Sequence, residues 1–179
     1  MLESMILMTT FVKIVYIKNC IPREIMKKNG TAVDVAIAVL VCNGAVHAHA
    51  SGIGGGFFMT IYIKSEEKSY FLNARDVAPL DSHKDMYENN IKASEVGPLS
   101  IAIPGEVKGY FEAKKRFGNK DISMLELFEP TIKLCEEGFK VTKNLADVLQ
   151  TPNFSPMSPN NKLNKVLRYF KIQKHGYEF

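Results

Sequence analysis

The first strong signal in the hydrophobic pattern is a run of apolar residues that begins shortly after residue 30. Residues 32–45 are apolar on every side, and Thr31 with Asp34 three positions later forms a capping-box pattern. A helix without a polar face lies inside a protein or a membrane. About 14 residues span about 21 Å, too short for a bilayer. The pattern therefore predicts a buried core helix.

A different periodicity follows. From Phe57 to Lys64 the odd positions are apolar, which predicts a strand with one buried face. The polar residues 65–68 then predict a turn, and residues 69–74 the return strand of a hairpin. The glycine-rich residues 52–56 lie between the helix and the strand. A nucleotide-binding loop has the opposite order, strand before helix, so we expect a tight structural turn instead.

The second half of the chain is predicted to be mainly helical. Residues 76–100 have the composition of a surface loop. Pro104 and Gly105 then precede a helix that ends at Gly118. Its expected buried face consists of Val107, Tyr110, Phe111 and Phe117.

Beyond residue 120, proline and glycine residues divide the predicted helical region into short elements. Ser123 and Glu126 form a second capping-box pattern. We expect a short turn over residues 124–128 and a new helix from Pro130 to Gly138. A short helix is predicted at 141–149, and the proline- and asparagine-rich residues 151–161 read as a loop.

Composition adds few constraints. The chain has 179 residues, 46% of them apolar and 23% charged, as expected of a folded soluble domain. The net charge of +4 is mild and its basic residues are scattered, which argues against nucleic-acid binding. Residues 5–17 are apolar, but Lys13 interrupts them, and they resemble neither a membrane span nor a signal peptide.

Metal and cofactor sites are not predicted. The three cysteines have no C-x-x-C spacing, which argues against zinc and against a thioredoxin-like site. His47 and His49 are two residues apart, with no carboxylate or cysteine at ligand spacing, so local structural roles are favoured. Cys42 and Cys135 lie in apolar helical segments, where thiols are usually inert. The sequence contains no G-x-S-x-G motif, and none of its threonines stands beside an evident base. No catalytic nucleophile is therefore predicted.

Arg75 is the most informative single residue. It ends a half-buried strand and is followed by Asp76 and a proline-terminated turn. A rigidly held arginine suits bidentate binding of a carboxylate. The alternative is an ion pair within the chain, with Asp76, Asp81 or Glu106.

Four segments taken together resemble γ-glutamyltransferases, also called glutathione hydrolases. The resemblance covers about residues 20–150 and matches the N-terminal part of the large subunit. Residues 1–19 are set apart as a divergent N-terminal segment and residues 151–179 as a divergent tail or linker. The matching segments are Gly30–Ala38, His49–Gly56, Leu72–Pro79 and Gly97–Glu106.

The resemblance implies an α/β (α+β) fold of the N-terminal-nucleophile hydrolase type. This is an αββα sandwich that is incomplete without the small subunit of the same precursor. Such enzymes self-cleave, and the new N-terminal threonine of the small subunit attacks the γ-glutamyl bond of glutathione or another γ-glutamyl compound. The γ-glutamyl group then passes to water or an amino acid. No cofactor is implied.

The resemblance also sets expectations for the activity and the location of this chain. It lacks the nucleophilic threonine and is expected to be inactive alone. The alternative is a non-catalytic module that binds γ-glutamyl compounds or a protein partner. The family implies the extracellular face of the plasma membrane.

Site residues are also carried over from the resemblance. Arg75 corresponds to the arginine that binds the donor's α-carboxylate. Asp76 replaces the commoner glutamate, which keeps the charge but shortens its reach. Secreted members of the family often join the two cysteines that align with Cys20 and Cys42. Asn29 and Asn153 are candidate glycosylation sites if the chain enters the secretory route.

Overall fold

The computed structural model describes residues 21–95, 97–139 and 143–149, where a β-hairpin packs against helices. Short 3-10 turns at Ile91–Ser94 and Pro98–Ser100 interrupt the long surface segment that was predicted between the hairpin and the next helix. The elements, in order, are α1 (Ile21–Lys27), α2 (Ala32–Val46), β1 (Phe57–Ile63), β2 (Lys68–Ala74), α3 (Glu106–Phe117), α4 (Met124–Glu137) and α5 (Lys143–Leu149).

Helix α2 is the core helix that the sequence predicted. Its capping box is present: the Asp34 N–H donates to Thr31 Oγ1 (3.2 Å), and the Thr31 N–H donates to Asp34 Oδ2 (2.8 Å). The helix packs against α1, α3 and α4, so no side of it needs to be polar. Within the described residues, no helix has the length and apolar character needed to cross a membrane.

The side chain of Asp34 joins two helices. It is 0% exposed, and besides Thr31 it accepts a hydrogen bond from the Asn119 N–H (2.8 Å). The Lys114 ammonium lies 3.1 Å from Oδ1. Burial opposes ionisation of this carboxyl, but the hydrogen bonds from Asn119, Thr31 and Lys114 outweigh it and hold its pKa below the usual range. The start of α2 is thereby fixed to the end of α3.

The hairpin follows the predicted alternation. Strands β1 and β2 are antiparallel, with Phe57 opposite Ala74 and Ile63 opposite Lys68. The odd positions of β1 face the helices, and Met59 and Ile61 are buried there. The opposite face is exposed although it carries three aromatic side chains, Phe58, Tyr62 and Phe71.

Glycines allow the backbone at the end of β2 to lie very close to its neighbours. A Cβ on Gly56 would lie 2.4 Å from the Ala74 carbonyl oxygen, and one on Gly105 would lie 2.5 Å from the carbonyl oxygens of Ala74 and Arg75. The Gly55 carbonyl accepts the N–H groups of Gly105 (3.0 Å) and Glu106 (3.1 Å). The turn before β1, the end of β2 and the start of α3 therefore form one closely packed unit.

The division predicted at Pro130 is wrong. Helix α4 is continuous from its cap at Ser123, whose capping box is confirmed, and it includes Pro130. An interior proline costs about 3 kcal/mol because it removes a hydrogen bond and crowds the preceding turn. Packing offsets this cost, since Leu127 and Thr131 are buried on the same face on either side of the proline.

One further expectation needs correction, and one helix was missed. The buried stripe of α3 runs through Glu106, Gly109, Tyr110 and Ala113, whereas Phe111 is exposed. The helix is rotated because Gly109 lets it approach the side chains of Ala74 and Phe57. Helix α1 was not predicted at all. Its two buried residues, Ile21 and Ile25, are too few to give a recognisable period.

We expect Asp34→Asn to lower the free energy of unfolding by about 3–5 kcal/mol, because Lys114 would remain mostly buried without its counter-charge. Urea unfolding at pH 7 measures this difference. Lys133→Ala is the control, since its pair with Glu129 is exposed and spaced i,i+4, and it should change stability by only about 0.5 kcal/mol. An equal loss in both variants would contradict the role given to Asp34.

The comparison of the wild type with Asp34→Asn also gives a prediction for the pH dependence of stability. The pKa of Asp34 is lower in the folded state, so its stabilising contribution is complete above the unfolded value of about 3.9. It is lost as the pH falls through the folded pKa. The stability difference between the wild type and Asp34→Asn should therefore narrow below about pH 4, and a constant difference would contradict this.

Gly105→Ala is expected to destabilise the protein by about 1–3 kcal/mol, because the new methyl group overlaps the Ala74 and Arg75 carbonyls. Gly54→Ala is the matched control. Its Cβ would have nothing within 4 Å, so stability should change by about 0.5 kcal/mol or less. Thermal unfolding of the two variants tests the prediction, and similar midpoints would refute the close packing.

Candidate functional site

Arg75 lies directly after β2 with its side chain turned outward. Its N–H donates to Asn73 Oδ1 (3.1 Å), and its side chain is 53% exposed. One terminal nitrogen lies 3.2 Å from Asp76 Oδ1, and the guanidinium carbon lies 5.9 Å from the centre of the Phe58 ring. Of the three acidic partners that the sequence offered, Asp76 forms the ion pair in the described part of the chain.

This arrangement leaves N–H donors of the Arg75 guanidinium available to a ligand. A guanidinium carries five N–H donors in a planar fork, and Asp76 forms an ion pair with only one of its terminal nitrogens. The Phe58 ring supports the cation from the side, and Phe58 itself packs against Phe71 with 5.6 Å between ring centres. The geometry suits a carboxylate that approaches from solvent.

Glu106, which the sequence offered only as a possible ion-pair partner of Arg75, is instead a buried acid. Glu106 is only 6% exposed and stands in the first turn of α3, where the helix dipole favours a negative charge. Its Oε1 accepts a hydrogen bond from the Tyr110 hydroxyl. Burial, and then the contact with Glu106, raises the pKa of Tyr110 well above its usual range. The i,i+4 spacing of the two residues is the signal that could have indicated this pair.

The two histidines make local contacts. His47 Nδ1 donates to Asn43 Oδ1 (2.8 Å), and His49 Nε2 accepts from Asn144 Nδ2 (3.2 Å). Burial, with His49 nearby, lowers the pKa of His47. Among residues 21–95, 97–139 and 143–149, no three His, Cys, Asp or Glu side chains are grouped as metal ligands would be.

The predicted modification sites are only partly visible. Cys42 is a buried free thiol, and its predicted partner Cys20 lies outside the described residues, so their pairing stays a prediction. Asn29 is exposed in the turn between α1 and α2, with a positive φ of 59°. Asn153 also lies outside the described residues. Glycosylation of the two asparagines likewise stays a prediction.

Comparison with known sequences identifies the family. The gamma-glutamyltranspeptidase family model matches residues 19–175. Glutathione hydrolase proenzyme 1 of Schizosaccharomyces pombe is 42% identical over 142 residues, which cover 79% of this chain and 22% of that protein. Glutathione hydrolase 3 of Arabidopsis thaliana is 40% identical over 128 residues, or 72% and 20% of the two chains. The chain thus spans about a fifth of the length of these relatives.

Solved structures agree with the sequence comparison. The gamma-glutamyltranspeptidase of Pseudomonas nitroreducens superposes with a TM-score of 0.70 and 36% identity, covering 78% of this chain and 42% of that one. The Helicobacter pylori enzyme gives a TM-score of 0.67 and 32% identity, with coverage of 73% and 38%. The mixed helix and strand arrangement is therefore part of an N-terminal-nucleophile hydrolase fold, as expected.

The family match also includes much of the segment set apart after residue 150. That segment lies outside the described residues, and the boundaries drawn at residues 19 and 150 stay predictions. The matched length and the identity to the relatives both exceed what chance similarity gives. This chain belongs to the gamma-glutamyltranspeptidase family.

Proposed function

We propose that this chain provides the carboxylate-binding part of an enzyme that cleaves the γ-glutamyl bond of glutathione. In this proposal Arg75 binds the α-carboxylate of the γ-glutamyl donor. A complementary small subunit from the same precursor supplies the nucleophilic threonine. The γ-glutamyl group then passes to water or to an amino acid. The observation that carries the proposal is the exposed guanidinium on a rigidly packed backbone.

The rigidity matters for binding. A ligand pays an entropic cost for every flexible group that it orders, so a preorganised arginine binds a carboxylate more tightly than a mobile one. Close contacts from Gly56 and Gly105 hold the backbone of Arg75. The Phe58 ring and Asp76 restrict its side chain. The remaining N–H donors can form the paired hydrogen bonds that distinguish a carboxylate from other anions.

Neither the described threonines nor the buried cysteine has the surroundings that a catalytic nucleophile needs. Thr31 caps α2, Thr60 is exposed on the outer face of β1, and Thr131 is buried in α4. Burial raises the pKa of Cys42, which disfavours its nucleophilic thiolate form. The Thr31 hydroxyl donates to Asp34 Oδ2 (2.9 Å), but that carboxylate is fully buried and is engaged by the capping box, the Asn119 N–H and Lys114. The described contacts of Thr60, Thr131 and Cys42 include no carboxylate or histidine. This supports a nucleophile from a second subunit.

The hairpin offers a surface that such a subunit could cover. Phe58, Tyr62 and Phe71 are each at least 60% exposed on one face of the two-stranded sheet. A face of this kind is usually buried by a second sheet about 10 Å away. The αββα sandwich implied by the family has such a second sheet. The names of the relatives, glutathione hydrolase and its proenzyme, support both glutathione as donor and a processed precursor.

Activity of the purified 179-residue chain is the direct test. We expect it to release p-nitroaniline from γ-glutamyl-p-nitroanilide no faster than buffer does, because the proposed nucleophile belongs to the other subunit. Measurable release would show that a nucleophile within these residues was missed. Glutathione binding far tighter than the millimolar dissociation constant that one arginine can supply, combined with a cooperative thermal melt and no activity, would favour the alternative of a non-catalytic γ-glutamyl-binding module.

Arg75 has a separate binding test. In an NMR titration of the chain with glutathione, we expect weak binding with a dissociation constant on the order of 1 mM or above, since one arginine supplies few of the contacts. Arg75→Ala should abolish the shift changes. Arg75→Lys should weaken binding about tenfold, because it keeps the charge but loses the planar fork.

The matched control for this titration is Arg116→Ala. Arg116 is similarly exposed (57%) and also pairs with an acid, Glu112, but it lies on α3 away from the hairpin end. Its substitution should leave glutathione binding unchanged. Equal losses in the Arg75 and Arg116 variants would mean that binding reflects general positive charge, and the proposed role of Arg75 would be wrong.

A further inference from the structure

The register of the hairpin places Phe58 between Arg75 and a second aromatic ring. Phe58 on β1 is paired with Asn73 on β2, and Phe71 and Arg75 lie two residues to either side of Asn73. Side chains two residues apart along an extended chain project from the same face. Diagonal neighbours on two paired strands are within reach of aromatic and long side chains. Phe58 is therefore the diagonal neighbour of both Phe71 and Arg75.

The side-chain distances confirm both contacts. The centres of the Phe58 and Phe71 rings lie 5.6 Å apart, and the guanidinium carbon of Arg75 lies 5.9 Å from the centre of the Phe58 ring. A cation within about 6 Å of a ring centre is attracted electrostatically by the ring. Phe71 packs on Phe58 from the side opposite Arg75, so it restricts the ring that the cation contacts.

The ion pair with Asp76 restrains the Arg75 side chain only weakly. The arginine side chain is 53% exposed, and exposed ion pairs contribute little because water and salt screen them. The close approaches of Gly56 and Gly105 fix the backbone of Arg75 but not its guanidinium. A long arginine side chain has a large rotamer entropy that opposes its ordering. A further restraint is therefore needed if the guanidinium is to be ordered before a ligand arrives.

We propose that Phe58 is a positioning residue that orders the Arg75 guanidinium for a carboxylate and thereby raises the affinity of the site. The inference rests on the proposed function, because it concerns the same arginine. It gives a specific role to one of the three exposed aromatic side chains of the hairpin. Tyr62, on the same face of β1, is paired with Ser69 and lies away from Arg75. Phe58 acts through Arg75 and forms no bond of its own to the ligand.

The physical reason is the entropic cost of binding. A ligand that must order a mobile arginine loses affinity by that cost, whereas a guanidinium that is ordered beforehand avoids it. An aromatic ring suits this task because, unlike a second carboxylate, it restrains the cation without neutralising its charge. The positive charge of Arg75 therefore stays available to the carboxylate of a γ-glutamyl donor.

NMR of the full chain tests this role in two steps. The first is nitrogen relaxation of the Arg75 Nε–H group without ligand, which reports the order of the side chain on the ps–ns timescale. We expect Phe58→Leu to lower the order parameter of this group and Phe58→Tyr, which keeps a ring, to retain it. Tyr62→Leu is the matched control, because it removes an equally exposed ring (60% against 62%) from the same face of β1. It should leave the order parameter unchanged.

The second step is a titration of the same proteins with glutathione. Phe58→Leu should raise the dissociation constant about two- to fivefold, the range expected for loss of an exposed cation–π contact. Phe58→Tyr and Tyr62→Leu should bind glutathione as the wild type does. Equal losses of affinity in Phe58→Leu and Tyr62→Leu would overturn the proposal. An unchanged Arg75 order parameter in Phe58→Leu would overturn it as well, whatever the affinity.

The two steps distinguish this proposal from the proposed function. If Phe58→Leu loosens Arg75 but the wild-type chain does not bind glutathione, the carboxylate-binding function is wrong, and the ordering of the arginine by the ring is still supported. If Phe58→Leu does not fold, the wild type decides. A nuclear Overhauser contact between the Phe58 ring protons and the Arg75 δ protons then supports the proposal, and its absence rejects it.

Discussion

The described structure depends on a backbone approach that only glycine permits. The end of β2 is packed between the turn at Gly56 and the start of α3 at Gly105, and a side chain at either position would overlap a carbonyl of residues 74 or 75. The Gly55 carbonyl completes this unit by accepting both N–H groups at the start of α3. The position of Arg75 therefore follows from main-chain packing, which is stiffer than contacts among long side chains.

Helix α3 is fixed at both of its ends, by different kinds of interaction. At its beginning, Gly105 and Gly109 allow close contact with the hairpin. At its end, the ion pair of Lys114 with the fully buried Asp34 joins it to α2. A buried charge is tolerated only when hydrogen bonds replace its lost hydration, and Asp34 has donors from Thr31 and Asn119 as well. Through these two contacts, α3 fixes the position of Arg75 relative to the core helix α2.

The polar groups around this unit divide into an inner and an outer set. Glu106 and Tyr110 bond to each other in the interior, where the carboxylate lies in the first turn of its helix. Arg75 and Asp76 pair at the surface beside the exposed aromatic face of the hairpin. The Tyr110 hydroxyl is bonded to Glu106 within the protein, whereas the side chain of Arg75 is half-exposed to solvent. The proposed binding of a carboxylate uses the outer pair only.

The sequence by itself determined several of the local elements and the family. The all-round apolar pattern specified the buried helix α2, and the alternation after Phe57 specified the hairpin. The capping boxes at Thr31 and Ser123 were both recognised, because they depend on contacts only three residues long, although the helix after Ser123 was expected only from Pro130. It also singled out Arg75, but left its acidic partner open among three residues. Only the tertiary structure decided that Asp76 is that partner, that α4 continues through Pro130, and that Glu106 is buried while Phe111 is exposed. These features depend on packing between segments distant in sequence, and local periodicity carries no information about such contacts.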